Sequence, residues 1–345
     1  MTPEGQFSVD GVRSDGVGHY QLNAEQWSLF DDARDALSRF RAPILAHAAN
    51  PNEYLYIVAF DGTGDNKFTD PEHATNVAKI HDQIEALADK RLRVHYKEGP
   101  GTQANKLEAT LDGALGYTYE ERLNWMYYDL FQWANDLKDN NPFAVIRVHS
   151  LGFSRGASQA AGFTVLLHEK GIPDLKSEIL NADGTKRYTR YHVAPGETVQ
   201  TVGLFDPVAT GVPMQFDRRL PPSVVSGFQI TALNEERALF PSDQILPPGL
   251  AEDGRFLNVS VPGAHSDVGG GYWRDGLSTR CGNLMIDYCN ALRDAPFLEK
   301  YYESPDPRLN VIHRPKKIGK QVWVAVFTAS FRSITAARRF LDRLK

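Results

Sequence analysis

Residues 144–157 read AVIRVHSLGFSRGA, and the way they turn decides the fold. Residues 144–149 are β-rich and mostly apolar, which predicts a strand. Residues 157–169 predict a helix stopped at Lys170-Gly171. Between them, Gly152-Phe153-Ser154-Arg155-Gly156 fits the pattern G-x-S-x-G. In that pattern the serine sits on a sharp, strained strand-to-helix turn whose flanking positions must be small. The turn lifts the Ser154 hydroxyl clear of the sheet. It also places the hydroxyl at a helix N-terminus, where developing negative charge is favoured. Ser154 is thus the candidate nucleophile; the plainer alternative is a serine that only caps a helix.

Working outward, residues 54–60 (YLYIVAF) form a continuous apolar run that stops at Asp61-Gly62-Thr63-Gly64. A short run apolar on both alternations predicts a parallel strand buried on both faces. Further strands are expected at 92–96, 198–205, 228–232 and 256–261, and helices at 24–40, 75–87 and 119–137. Strands alternating with helices predict an α/β fold with a mostly parallel central sheet and helices on both faces. Residues 1–22 read as a loose polar arm. The Pro-rich stretches 212–222 and 240–254 read as long loops, the second a candidate lid. The expected organisation is an arm and helix over 1–50, a catalytic domain over 51–300 and a basic tail over 301–345.

A hydroxyl needs a base. In α/β-hydrolases the triad partners follow the nucleophile in the order acid, then histidine. Of the ten histidines, His168 lies on the wrong part of the elbow helix, His192 precedes a strand, and His313 falls in the basic tail. His265 follows the 256–261 strand in a Gly-rich loop that can aim an imidazole across the sheet edge. Asp206 ends the 198–205 strand and is the candidate acid; Asp267 is a rival, too close to His265 for a loop to bring it back easily, and is instead expected to shape its loop. For the oxyanion hole, one backbone donor is expected from Arg155. The other is expected from Gly62 or Thr63, with Asp61 shaping that loop.

Composition narrows the class. The chain has 345 residues, 42% hydrophobic and 23% charged, which excludes a disordered chain. Its net charge is −5, but residues 310–345 hold nine Lys/Arg against one acid, a local +8 on a body of −13. The small net charge gives no general case for nucleic-acid binding, whereas the basic tail suits an anionic lipid surface, a solvated helix face or an internal contact. Two cysteines, Cys281 and Cys289, are too few for a disulfide framework. If both ride one helix they stand ~12 Å apart in rise, beyond disulfide reach. With no targeting segment and no apolar run of spanning length, synthesis as a soluble cytosolic chain is expected. No H-e-x-x-H pattern, Cys/His spacing or phosphate loop is present, so no cofactor is expected, with a cation on the Asp-rich loops left open.

Several blocks together resemble a known family. They are Ala59-Phe60-Asp61-Gly62-Thr63, Thr75-Asn76-Val77, Gly99-Pro100-Gly101-Thr102, GFSRGA at 152–157, GLFDPV at 203–208, ALNEERALF at 232–240 and HSDVGGGY at 265–272. The chain resembles the α/β-hydrolase-like family that includes type VI secretion phospholipase effectors of the first Tle family. The resemblance implies an α/β-hydrolase-like fold and a Ser154–Asp206–His265 triad. It further implies a phospholipase A type attack on glycerophospholipid esters, with a phospholipid membrane as substrate. Delivery by a secretion-spike carrier into a rival cell's periplasm, and an immunity protein in the producer, follow from it too. A soluble carboxylesterase or thioesterase with the same triad, or a non-catalytic binding module on a hydrolase fold, are the alternatives.

Overall fold

The computed structural model describes residues 2–99, 119–209, 217–237 and 242–315. In chain order, the elements among them begin with β1 (Gly18–Gln21), α1 (Ala24–Ser38), β2 (Glu53–Phe60), α2 (Asn76–Ala86), β3 (Leu92–Lys97), α3 (Tyr119–Asn140), β4 (Val145–Phe153) and α4 (Arg155–Lys170). Four short strands follow, β5 (Ile172–Pro173), β6 (Glu178–Leu180), β7 (Lys186–Tyr188) and β8 (Tyr191–Val193). The chain continues with β9 (Gln200–Phe205), β10 (Val224–Ala232), β11 (Gly249–Leu250), β12 (Phe256–Val261), α5 (His265–Gly269), α6 (Gly276–Ala291) and β13 (Val311–Arg314).

Seven strands form one sheet in the order β11-β12-β10-β9-β4-β2-β3, parallel except for the edge strand β11. The expected α/β-hydrolase-like architecture is therefore present. Each strand presents two apolar faces because its side chains alternate. On β2, Leu55, Ile57 and Ala59 face a core shared with Phe30 of α1, Val77 and Ile80 of α2, and Leu277 and Leu284 of α6. Tyr56, Val58 and Phe60 face the opposite core, with Met126 and Leu130 of α3 and Ala157 and Phe163 of α4. Each such side chain removed from water contributes roughly 1.5–3 kcal/mol, which is why YLYIVAF is buried nearly throughout.

Local signals set the helix starts. Asn23 accepts the Gln26 N–H at 2.8 Å while the Gln26 side chain accepts the Asn23 N–H at 3.0 Å, a closed capping box on α1. Thr75 caps α2 by accepting the Ala78 N–H, and the same hydroxyl donates to Asp61 Oδ1 at 2.8 Å. Cys281 and Cys289 both lie buried and free on α6. Among the described residues no helix is long and apolar enough to cross a membrane.

The structure departs from the sequence reading in three places. The arm is not loose: β1 pairs antiparallel with β13, and Ser14 and Asp15 are buried. Its sequence is polar because ladder bonds and ion pairs hold it, which hydropathy does not register. Strand β10 starts four residues earlier than the apolar run, since Ser226 and Gly227 pass through it; a Cβ on Gly227 would stand 2.9 Å from Val202. Residues 242–254 of the supposed lid are tied down. The Asp243 N–H donates to Pro207 O, the Leu246 N–H to Gln229 Oε1, and β11 pairs with β12. The remaining lid residues, stretch 212–216 and the 322–344 part of the basic tail lie outside the described residues.

One buried histidine predicts the acid limb of stability. His149 on β4 is wholly buried, with Nδ1 2.9 Å from Thr201 Oγ1 and Nε2 3.7 Å from Cys289 Sγ. Burial pushes its pKa down to about 3. Between that value and the ordinary ~6.5, the unfolded chain binds a proton that the native chain refuses. Stability therefore falls as pH drops through this window, by about 2 kcal/mol between pH 7 and 5. Urea unfolding at both pH values should show the wild type losing about 2 kcal/mol relative to His149→Gln across that interval, the other titrating groups being common to both.

Candidate active site

The elbow is built by close backbone approach. At the end of β4 the chain turns with Ser154 at φ +60° and ψ −128°, outside the comfortable regions for a side chain, and α4 starts at once. A Cβ on Gly152 would meet Gly156 O at 2.4 Å, and one on Gly156 would meet both Asp61 O and Phe60 O at 2.4 Å. Those contacts are the reason both flanking positions are glycine. The turn is tied to the next strand: Ser154 N–H donates to Phe205 O at 3.0 Å and Val208 N–H donates to Ser154 O at 3.1 Å. Ser158 Oγ adds a bond to Val208 O at 2.7 Å.

Strand register then brings the acid alongside. Phe153 of β4 is paired with Phe205 of β9, so the residues that follow, Ser154 and Asp206, leave neighbouring strands at the same level. Asp206 also holds a strained backbone, φ +37°. It is fully buried; its Oδ1 accepts the Ala232 N–H at 3.0 Å and its Oδ2 accepts from His265 Nδ1 at 2.6 Å. A carboxylate on Nδ1 fixes the ring's orientation and tautomer. Two strained residues at one sheet edge are the pattern expected where geometry is held for chemistry.

His265 enters from β12 and opens α5. Its main-chain N–H donates to Glu235 Oε2 at 3.2 Å, and the Gly263 N–H donates to Asn234 Oδ1 at 3.0 Å. The His265 ring lies 4.6 Å from the Phe153 ring, tilted by 32°. Asn234 and Glu235 therefore clamp the histidine loop, a role that sequence reasoning did not assign. Glu235 is itself paired with Arg237 at 2.9 Å.

The loop after β2 corrects one expectation. Asp61 is buried beneath it; Oδ1 accepts the Gly62 N–H at 2.8 Å and the Thr75 hydroxyl, while Oδ2 accepts the Tyr96 hydroxyl at 2.6 Å. Burial pushes this carboxyl above its ordinary range, against the pull of those hydrogen bonds. Gly62 is thus not a free oxyanion donor: its N–H is turned inward to Asp61, as loop-shaping by Asp61 requires. Thr63 is half-buried, and its buried Oγ1 has no hydrogen-bond partner. Arg155 N–H stands at the first position of α4, directly after the serine.

Asp267 does not turn back to His265. Its Oδ2 accepts the N–H groups of Ala264 (2.8 Å) and His313 (2.9 Å), and its Oδ1 accepts from the His313 ring at 2.5 Å. His313, which the sequence places in a basic tail, is completely buried here. Among the described residues one group could hold a metal ion, His81, Asp82 and Glu85. The Lys67 ammonium already lies there, 2.7 Å from His81 Nδ1 and paired with Asp82, so the charge is met from within.

A family model described as the catalytic domain of Tle1-like type VI secretion phospholipase effectors matches residues 55–195 and 174–289. No curated protein matches the chain. Among solved structures, an uncharacterized protein from Pseudomonas aeruginosa is 19% identical over 81% of this chain and 50% of its own, with a TM-score of 0.46. A Tle1 effector bound to the VgrG spike is 20% identical over 67% of this chain and 52% of its own, with a TM-score of 0.36. The acylaminoacyl peptidase of Pyrococcus horikoshii is 12% identical over 77% and 40%, with a TM-score of 0.38. The chain thus spans about half the length of the first two.

Proposed function

The chain belongs to the family of Tle1-like phospholipase-effector catalytic domains, and from that premise we propose that it hydrolyses the acyl esters of glycerophospholipids through Ser154, Asp206 and His265. The observation that carries the reading is the 2.6 Å contact from His265 Nδ1 to Asp206, one strand away from the strained serine. His265 Nε2 takes the Ser154 proton as Oγ attacks the ester carbonyl. The Arg155 N–H, and a second backbone donor at Thr63, receive the oxyanion. The tetrahedral intermediate collapses as His265 returns the proton to the departing alcohol, which leaves an acyl group on Ser154. Water, deprotonated by the same imidazole, then releases the fatty acid. Asp206 holds the tautomer and balances the imidazolium in both halves.

A secretion-spike carrier, delivery into a rival cell's periplasm and an immunity protein in the producing cell belong to the same proposal. The test of substrate class is fatty-acid release from vesicles of phosphatidylethanolamine and phosphatidylglycerol, beside a chain-length series of soluble esters. Release from vesicles with a preference for long chains is expected, and the lyso-product reads out the position cut. Cleavage of short soluble esters alone would make it a soluble esterase or thioesterase. Inertness toward both, with a Ser154 unreactive to a fluorophosphonate, would make it a binding module.

A further inference from the structure

The ladder between β1 and β13 carries a second imidazole into the interior, beside the catalytic loop. His313 is completely buried between two carboxylates: Nδ1 donates to Asp267 Oδ1 at 2.5 Å, and Nε2 donates to Asp15 Oδ2 at 3.0 Å. A ring with a carboxylate on each nitrogen is a double donor and therefore a cation. Desolvation works against that charge, and Asp267 and Asp15 outweigh it, raising the His313 pKa to about 9. The other faces are also occupied. Tyr272 lies against the ring at 3.9 Å, and His19 on β1 stands 6.0 Å away. The His19 pKa is lowered by its own burial and by Arg274 and His313. Arg274 is paired with Asp10 at 2.9 Å. Asp15 Oδ1 accepts the Trp273 N–H, which joins the arm to the residue just past the Gly-rich loop.

Asp267 is only two residues from His265, and its Oδ2 holds both the His313 N–H and the N–H of Ala264, the residue before His265. We propose that His313 is a positioning residue for the catalytic imidazole: clamped as a cation between Asp15 and Asp267, it fixes the 264–267 turn that aims His265 at Ser154. This rests on the triad reading above. Losing the cation would leave two buried carboxylates with no positive partner between them, and the turn would relax. A shift of about 1 Å at a reacting group costs on the order of 100-fold.

The experiment compares wild type, Asp15→Asn and His313→Gln as full chains. It follows the rate at which a fluorophosphonate labels Ser154, and kcat and KM on a soluble short-chain ester, from about pH 6 to 10. Both variants should label and turn over roughly 10- to 100-fold more slowly with KM nearly unchanged. The wild-type rate should fall as pH rises through about 9, because the clamp loses its charge there. Asp15→Asn should move that fall to lower pH, and His313→Gln should abolish it. Variants that unfold at the wild-type temperature and label at the wild-type rate would overturn the proposal, as would an unmoved high-pH fall. If His313→Gln does not fold, the shift in Asp15→Asn decides. A wild type that the probe never labels removes the triad reading, and this proposal with it, a result distinct from a labelled wild type with unaffected variants.

Discussion

Ser154→Ala should lower ester turnover by roughly 10⁴- to 10⁶-fold, leaving only what positioning and backbone donors supply. The size follows from chemistry: without Oγ there is no acyl-enzyme, and His265 can only assist a direct attack by water. The fold should tolerate the change. The bonds that tie the turn down are made by main-chain atoms, Ser154 N–H to Phe205 O and Val208 N–H to Ser154 O. Alanine also meets the same cost at φ +60° that serine already bears. The measurement is steady-state hydrolysis of a chromogenic ester with denaturant unfolding of both proteins in parallel. A loss smaller than about tenfold would remove Ser154 from the mechanism.

Asp206→Asn should cost roughly 10³- to 10⁴-fold in kcat with little change in KM. The amide oxygen can still accept the Ala232 N–H, the bond that Oδ1 makes now. The amide nitrogen then faces His265 Nδ1, so the ring must place its proton on Nε2 and cannot accept one from Ser154. The imidazolium formed during turnover also loses its countercharge in a fully buried site. The same ester assay, run with single-turnover labelling by a fluorophosphonate, checks both effects. Unchanged labelling would shift the acid's role to another carboxylate.

How much the sequence alone reveals depends on whether the determinant is local. The elbow was legible because every requirement lies within GFSRGA and its flanks: a strand, two glycines and a helix. Asp206 was legible as a strand-ending acid, but the Phe153–Phe205 register that sets it beside Ser154 was not. The inward turn of the Gly62 N–H depends on the Asp61 rotamer and on Tyr96 from the next strand, neither of which spacing reveals. His313 was the largest omission. Its partners lie 46 and 298 residues away in sequence, and the residues that follow it are basic, so composition points to the surface. The arm was misread for the same reason, since polar residues that meet distant polar partners look like solvent-facing ones.

The β1–β13 ladder also dates the birth of a working site. Residues 18–21 leave the ribosome early, and the strand that receives them, 311–314, emerges last among the described elements. At 5–20 residues per second, the wait is roughly 15 to 60 s. The sheet from β2 to β12 can assemble during that interval, but the pocket around His313 cannot close until both ends are present. A nascent chain thus makes the elbow first and the histidine loop later, and that loop stays unanchored until His313 follows 46 residues after Asp267. Anchoring of the histidine loop and onset of activity would then coincide.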